Sequence, residues 1–184
     1  MHVHHLLFAR THSSRFLRGH RAADVPILLG YGEPEERAGP DRWPTPSFSS
    51  IAAVGFALPA YAIGIERGWC TRAEARDLTL TTLRFFWNAP QGPESSGTAG
   101  YKGFFYHFLN METGLRHRDV ELSSVDTTIL MMGVLFASQY YDRADAAERE
   151  IRDLAQKIYA RADWNFFRSD GRAAISMGWH PGGA

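Results

Sequence analysis

The sequence predicts an all-α protein, on three observations. Two stretches, residues 49–67 and 125–136, are small and apolar nearly all round. Two others, 71–88 and 145–163, gather their apolar residues on one side. The two kinds alternate along the chain. In a ring of helical hairpins the inner helices are covered on both sides while the outer helices face water, so the alternation predicts part of such a toroid. An ordinary helical bundle is the alternative this pattern leaves open, because no short solenoid-type repeat decides between them.

Residues 1–40 mix His, Arg, Gly and Pro without sustained periodicity and read as an irregular N-terminal arm. The domain proper is expected over 41–184. It opens with the rigid turn Asp41-Arg42-Trp43-Pro44-Thr45-Pro46, and a first helix follows from Ser49 to about Arg67, bent at Pro59. Thr71 and Glu74 have the spacing of a capping box and start the second helix, whose face is Ala75, Leu78, Leu83 and Phe86 and whose stop is Asn88-Ala89-Pro90. The Gly- and Ser-rich segment 91–100 reads as an unstructured loop. Tyr101 to Leu109, dense in aromatics, predicts a short β-hairpin or an ordered loop. Ser123 and Asp126 repeat the capping pattern before the third helix. The fourth carries Ile151, Leu154, Ala155, Ile158, Tyr159 and Ala162 on one stripe.

Composition excludes several functions. With 45% hydrophobic and 13% aromatic residues in 184, the chain is neither disordered nor of low complexity. Lys plus Arg and Asp plus Glu are 20 each, so nothing draws the chain as a whole to nucleic acid or an anionic membrane; a neutral partner such as a sugar suits it better. The one cysteine, Cys70, rules out an internal disulfide framework. His2, His4 and His5 sit near a terminus that preorganises no metal geometry, and neither a Gly-rich phosphate loop nor a nucleophile elbow is present, so no metal or cofactor is expected. The most apolar run, 51–65, is interrupted by Gly55, Pro59 and Gly64, which predicts no membrane span. The N-terminus shows no export signal, and localisation is left unassigned.

Glycoside hydrolysis commonly uses two carboxyl groups on opposite sides of the scissile bond. Glu121 and Asp126 are the local candidates, at the mouth of an apolar helix where a carboxyl can keep its proton. The competing explanation is helix capping by Asp126 and a favourable dipole contact by Glu121. Phe85, Phe86, Trp87, Tyr101, Phe104, Phe105, Tyr106 and Phe108 form an aromatic concentration. Most of these are expected in the core, with Tyr101, Tyr106 and Trp87 accessible for sugar stacking and Lys102 and His107 as partners for hydroxyls. Asp41, Arg42 and Trp43 make a polar and aromatic rim.

Three segments then resemble one family. They are Asp41-Arg-Trp-Pro-Thr-Pro-Ser-Phe-Ser-Ser-Ile-Ala-Ala-Val-Gly-Phe56, Gly100-Tyr-Lys-Gly-Phe-Phe-Tyr-His-Phe-Leu109 and Glu121-Leu-Ser-Ser-Val-Asp-Thr127. Together they resemble the glucoamylase-like domain family, which includes bacterial endo-β-1,2-glucanases and a domain of cyclic β-1,2-glucan synthases, over residues 41 to 181. The resemblance implies an α/α six-hairpin barrel, about half of it in this chain, with a β-glucan cleft at one end. It raises Glu121 and Asp126 to the leading catalytic candidates and makes Lys102, Tyr106 and His107 cleft residues, with Asp41, Arg42, Trp43, Tyr101 and Trp179 as further sugar contacts. After Ile175-Ser-Met-Gly-Trp179 the chain reads His180-Pro-Gly-Gly-Ala184, where the family continues with further motifs, and residues 1–38 lack an aromatic-rich first helix. The expectation is an incomplete and inactive piece of a glycoside hydrolase-type domain, from a parent protein of the cell envelope. The alternative is a noncatalytic helical carbohydrate-binding or interaction module. In either case apolar faces left uncovered invite self-association.

Overall fold

The structure, a computed structural model, describes residues 48–168 and 174–182. The N-terminal arm, the three terminal histidines and the Asp41, Arg42, Trp43 rim lie outside the described residues.

Strand β1 (Phe48–Ser50) leads directly into α1 (Ile51–Glu66), which contains Pro59. Ser50 makes the junction, its hydroxyl oxygen accepting the N–H groups of Ala52 and Ala53. Helix α2 (Arg72–Asn88) starts at the predicted capping box, with Thr71 and Glu74 each satisfying the other's backbone N–H. Four short strands follow: β2 (Gly100–Tyr101), β3 (Phe104–Tyr106), β4 (Phe108–Asn110) and β5 (Leu122–Ser123). Helix α3 (Ser124–Tyr140) is capped by Ser123 and α4 (Ala146–Arg161) by Asp145. Strand β6 (Gly178–Trp179) ends the described chain.

The helices form two layers, α1 against α3 and α2 against α4, with α3 also touching α4 and α1 touching α2. The four described helices form part of an α/α toroid and no closed barrel. Leu83 and Phe86 of α2, Leu130 and Val134 of α3, and Ile151 and Ile158 of α4 fill the core, closed at one end by Phe105 and Leu109 from the strands. Helices α1 and α3 approach until their backbones touch: a Cβ on Gly133 would lie 2.1 Å from the Gly55 carbonyl oxygen, and one on Gly55 only 2.5 Å from that of Ile129. The outer layer is joined differently. Glu148 of α4 is 1% exposed and accepts two hydrogen bonds from Arg72 of α2, at 2.7 and 2.9 Å, and one from the Arg143 N–H. The Arg72 guanidinium, before any other cause, holds the Glu148 carboxyl below its ordinary range.

At the helix mouths, β1 pairs antiparallel with β4, and β2, β3, β5 and β6 form a second antiparallel sheet in that order. The expected hairpin over 101–109 is present, enlarged by two partners that come from far along the chain. The loop 91–100 departs from expectation, because it is held in place. Gly92 N–H bonds the Gly100 carbonyl, Ala99 N–H that of Pro90, and the Arg116 guanidinium that of Ser95, while Thr98 and Ala99 are buried. Helices α1 and α3 also differ from an all-round buried pair. Phe56, Ile63, Met132 and Phe136 stand exposed, Phe56 and Met132 by two thirds (68% and 66%). No described helix is long and apolar enough to cross a membrane.

Candidate functional site

His107 lies between β3 and β4, and its backbone is fixed on both sides. Its N–H donates to the Glu121 carbonyl at 3.0 Å and its own carbonyl accepts the Ile51 N–H at 3.2 Å. The imidazole stacks on Phe108, ring centres 3.9 Å apart, and Phe108 in turn meets the edge of Phe48. That leaves the ring nitrogens facing two acids. Nδ1 is 2.8 Å from Glu121 Oε1 and Nε2 is 3.4 Å from Asp126 Oδ1. Because a carboxylate only accepts, each contact needs a proton on the nitrogen that makes it: Nδ1–H donates to Glu121, and the longer Nε2 contact to Asp126 is an ion-pair approach that attracts only with Nε2 protonated as well.

Asp126 occupies the first turn of α3. The Ser123 hydroxyl accepts its N–H at 3.1 Å and donates to its Oδ2 at 2.6 Å. Capping therefore accounts for half of this side chain, and Oδ1 is left to face His107. Glu121 stands just before β5 and is walled by β6: a Cβ on Gly178 would lie 2.8 Å from Glu121 Cγ. Segment 176–179 is stitched alongside by Ser124, whose N–H donates to the Met177 carbonyl and whose hydroxyl donates to that of Ser176.

Beside this cluster is an aromatic group. Tyr101 and Trp179 are 5.3 Å apart, and Phe166 packs against both, at 5.5 and 5.6 Å. The Lys102 ammonium lies 4.9 Å above the Phe166 ring and 3.1 Å from Asp163 Oδ2. Lys102 itself has φ of 52°, in the left-handed region, and is followed by Gly103 at 81°, which sits hard against the backbone of Arg161 and Ala162. The tight β2–β3 turn thus presents Lys102.

Tyr106 corrects the expectation of an accessible ring. It is fully buried, with the Arg116 guanidinium 4.6 Å over its face, and burial pushes its phenol up. Tyr106 turns into the core at the end of β3, while His107, at the bend between β3 and β4, turns toward the two acids. Trp87 is partly exposed on α2 and covered by Arg161. An open groove of about 570 Å³ is lined by Asn110, Thr113, His117 and Arg118 among others, and none of the described candidate site residues lines it. The structure therefore brings Glu121, Asp126 and His107 together and places Tyr101, Lys102 and Trp179 in a second group. Sequence reasoning paired Ser123 with Asp126 as a cap and missed Phe166 and Gly178 as supports. The glycine one residue before Trp179 was the available signal for the last of these.

A curated protein of Parabacteroides distasonis, an exo-β-1,2-glucooligosaccharide sophorohydrolase acting at the non-reducing end, is 27% identical to this chain over 124 residues, covering 65% of this chain and 16% of the relative. A glucoamylase candidate from Bacteroides uniformis superposes with a TM-score of 0.68 at 25% identity, over 87% of this chain and 38% of that one. The chain is homologous to glucoamylase-like and β-1,2-glucanase proteins. A β-1,2-glucanase of Parabacteroides distasonis matches likewise, at TM-score 0.64 and 25% identity, over 75% of this chain and 19% of that one. The chain thus spans well under half the length of these relatives, and no family model matches the sequence. Two of the three segments that carry the glucoamylase-like resemblance, 100–109 and 121–127, are those that meet at the His107 imidazole.

Proposed function

We propose that this chain supplies part of a glycoside hydrolase-type domain acting on β-glucan, with β-1,2-linked glucose as its substrate class. Glu121 and Asp126 are its site acids. His107, Tyr101, Lys102 and Trp179 are its sugar contacts, joined by the Asp41, Arg42, Trp43 rim, and Tyr106 supports the site from the core. The observation that carries this reading is the meeting of two separated motif segments on one imidazole, in a chain homologous to β-glucan-acting proteins. The zero net charge is in keeping with an uncharged ligand. A noncatalytic sugar-binding module is the second reading. It is favoured by both carboxylates contacting one imidazole, an arrangement unlike a pair that flanks a sugar. We further propose that the apolar faces of α1 and α3 support self-association.

Titration of the 184-residue chain with linear β-1,2-glucooligosaccharides, beside β-1,3- and β-1,4-linked controls, tests the common core of both readings. Saturable binding of the β-1,2 series that weakens in Glu121→Gln is expected, and no binding of any series overturns it. Reducing-sugar release in the same samples tests the expected inactivity of this piece: binding without turnover is expected, and turnover by the 184-residue chain overturns it.

A further inference from the structure

Both acids of the cluster reach the same imidazole, an arrangement unlike a pair that flanks a glycosidic bond. Such a pair needs the sugar between its carboxyls, about 5 Å or more apart. Here the His107 ring fills the space between Glu121 Oε1 and Asp126 Oδ1. The two acids also differ in what they leave free. Asp126 has a partner on each oxygen, the Ser123 hydroxyl on Oδ2 and His107 Nε2 on Oδ1, and its side chain is 16% exposed. Glu121 engages Oε1 alone, and its side chain is 35% exposed. Among the described residues no donor meets Oε2.

We propose that Ser123, Asp126 and His107 form a positioning relay and that Glu121, through Oε2, is the carboxyl that meets the sugar. This deepens the glucan reading and rests on it, and it moves Asp126 and His107 from contact with the sugar to positions behind Glu121. Each link fixes the next. The N-terminus of α3 holds Ser123 and Asp126, and Asp126 holds Nε2. Two backbone hydrogen bonds and the Phe108 stack fix the plane of the ring. Nδ1–H then holds Oε1, while the close approach of Gly178 walls off the Glu121 stem. This is the logic of a reactive group oriented by a second side chain that is itself oriented by a third. Asp126 acts at a distance from the ligand, and the acid that faces Glu121 across the sugar is neither of the relay members.

Long-range ¹H–¹⁵N spectra of the imidazoles in the full chain, with a linear β-1,2-glucooligosaccharide titrated into the same samples, test this. In the wild type, His107 is expected protonated on both Nδ1 and Nε2, since each faces a carboxylate oxygen. Asp126→Asn, nearly isosteric, should shift both His107 nitrogen signals and weaken sugar binding about tenfold without contact to the ligand. His107→Asn, whose amide N–H can stand where Nδ1–H stood, should retain most of the affinity that His107→Ala loses. Unchanged His107 signals in Asp126→Asn, or equal losses in His107→Asn and His107→Ala, overturn the relay; thermal melts identify any variant that has simply lost its fold. If the wild type binds no glucan, the functional reading fails, and the Nδ1 proton and its response to Asp126→Asn still decide the relay.

Discussion

Helices α2 and α4 turn Arg84 and Glu150 to the solvent, where they pair at 2.7 Å, whereas α1 and α3 put Phe56, Ile63, Met132 and Phe136 there. The outer layer is nearly finished: its apolar stripe is buried except for Tyr159, which stands exposed, its polar face is wet, and its deeply buried carboxylate, Glu148, has three donors. The inner layer is well packed on one side, down to the touching backbones at Gly55 and Gly133, and has apolar side chains on the other. The difference teaches how to read amphipathicity. A helix with one apolar stripe announces an environment the chain itself provides, and a helix apolar all round announces a second partner.

The comparison can be broken most severely at Glu148. Glu148→Ala takes the main partner from the half-buried Arg72 guanidinium, leaving it the Tyr140 carbonyl and Asp142, unpairs the Arg143 N–H, and should cost about 4 kcal/mol, read from urea unfolding. The same pair predicts the acid response of the outer layer. The Glu148 carboxyl is depressed from its ordinary value of 4.5, so its contribution is present above that value and is lost as pH falls below it through the folded value. Melts should weaken through this window in the wild type and less so in Glu148→Gln. Next in size is the inner crossing: Gly133→Val, with no room between the helix backbones, should cost about 3 kcal/mol by the same measurement. A loss below about 1 kcal/mol would mean the layers slide apart more readily than their contact indicates. Thr71→Ala, which removes half of the capping box on α2, should cost about 1 kcal/mol. Smallest in stability is Met132→Ser combined with Phe136→Ser, expected within about 0.5 kcal/mol per site. Its readout is the sedimentation profile: a shift toward monomer supports self-association through this face, and an unchanged profile removes it.

Where the sequence spelled a contact within three or four residues, it could be read. Thr71 with Glu74 and Ser123 with Asp126 announced two helix starts, and the stripe Ile151, Leu154, Ala155, Ile158 announced the core side of α4. The order of loop 91–100 was hidden because its restraint comes from Arg116, 21 residues beyond Ser95, while its glycines and serines argue locally for freedom. Within the site, the proximity of Glu121 to Asp126 was legible and the ring between them was not. A histidine in an aromatic run carries no mark of the two acids it will meet, and those lie on a different strand and helix. Tyr106 was misplaced because nothing local sets it apart: all three residues of β3 are buried, without the in-and-out alternation of a strand open on one face.

The Ser124 hydroxyl bond to Ser176 joins residues 52 positions apart, and the same long reach brings Gly178 against Glu121. Helices α3 and α4 and the turn between them occupy that interval, so this closure carries the entropic cost of a long loop and follows the local structure in time. Helix formation and the seating of β6 against Glu121 are therefore expected to separate on refolding. A molecule with all four helices formed still lacks the wall behind its candidate acid until the last strand is seated, so ligand binding should be the slowest signal to recover on refolding.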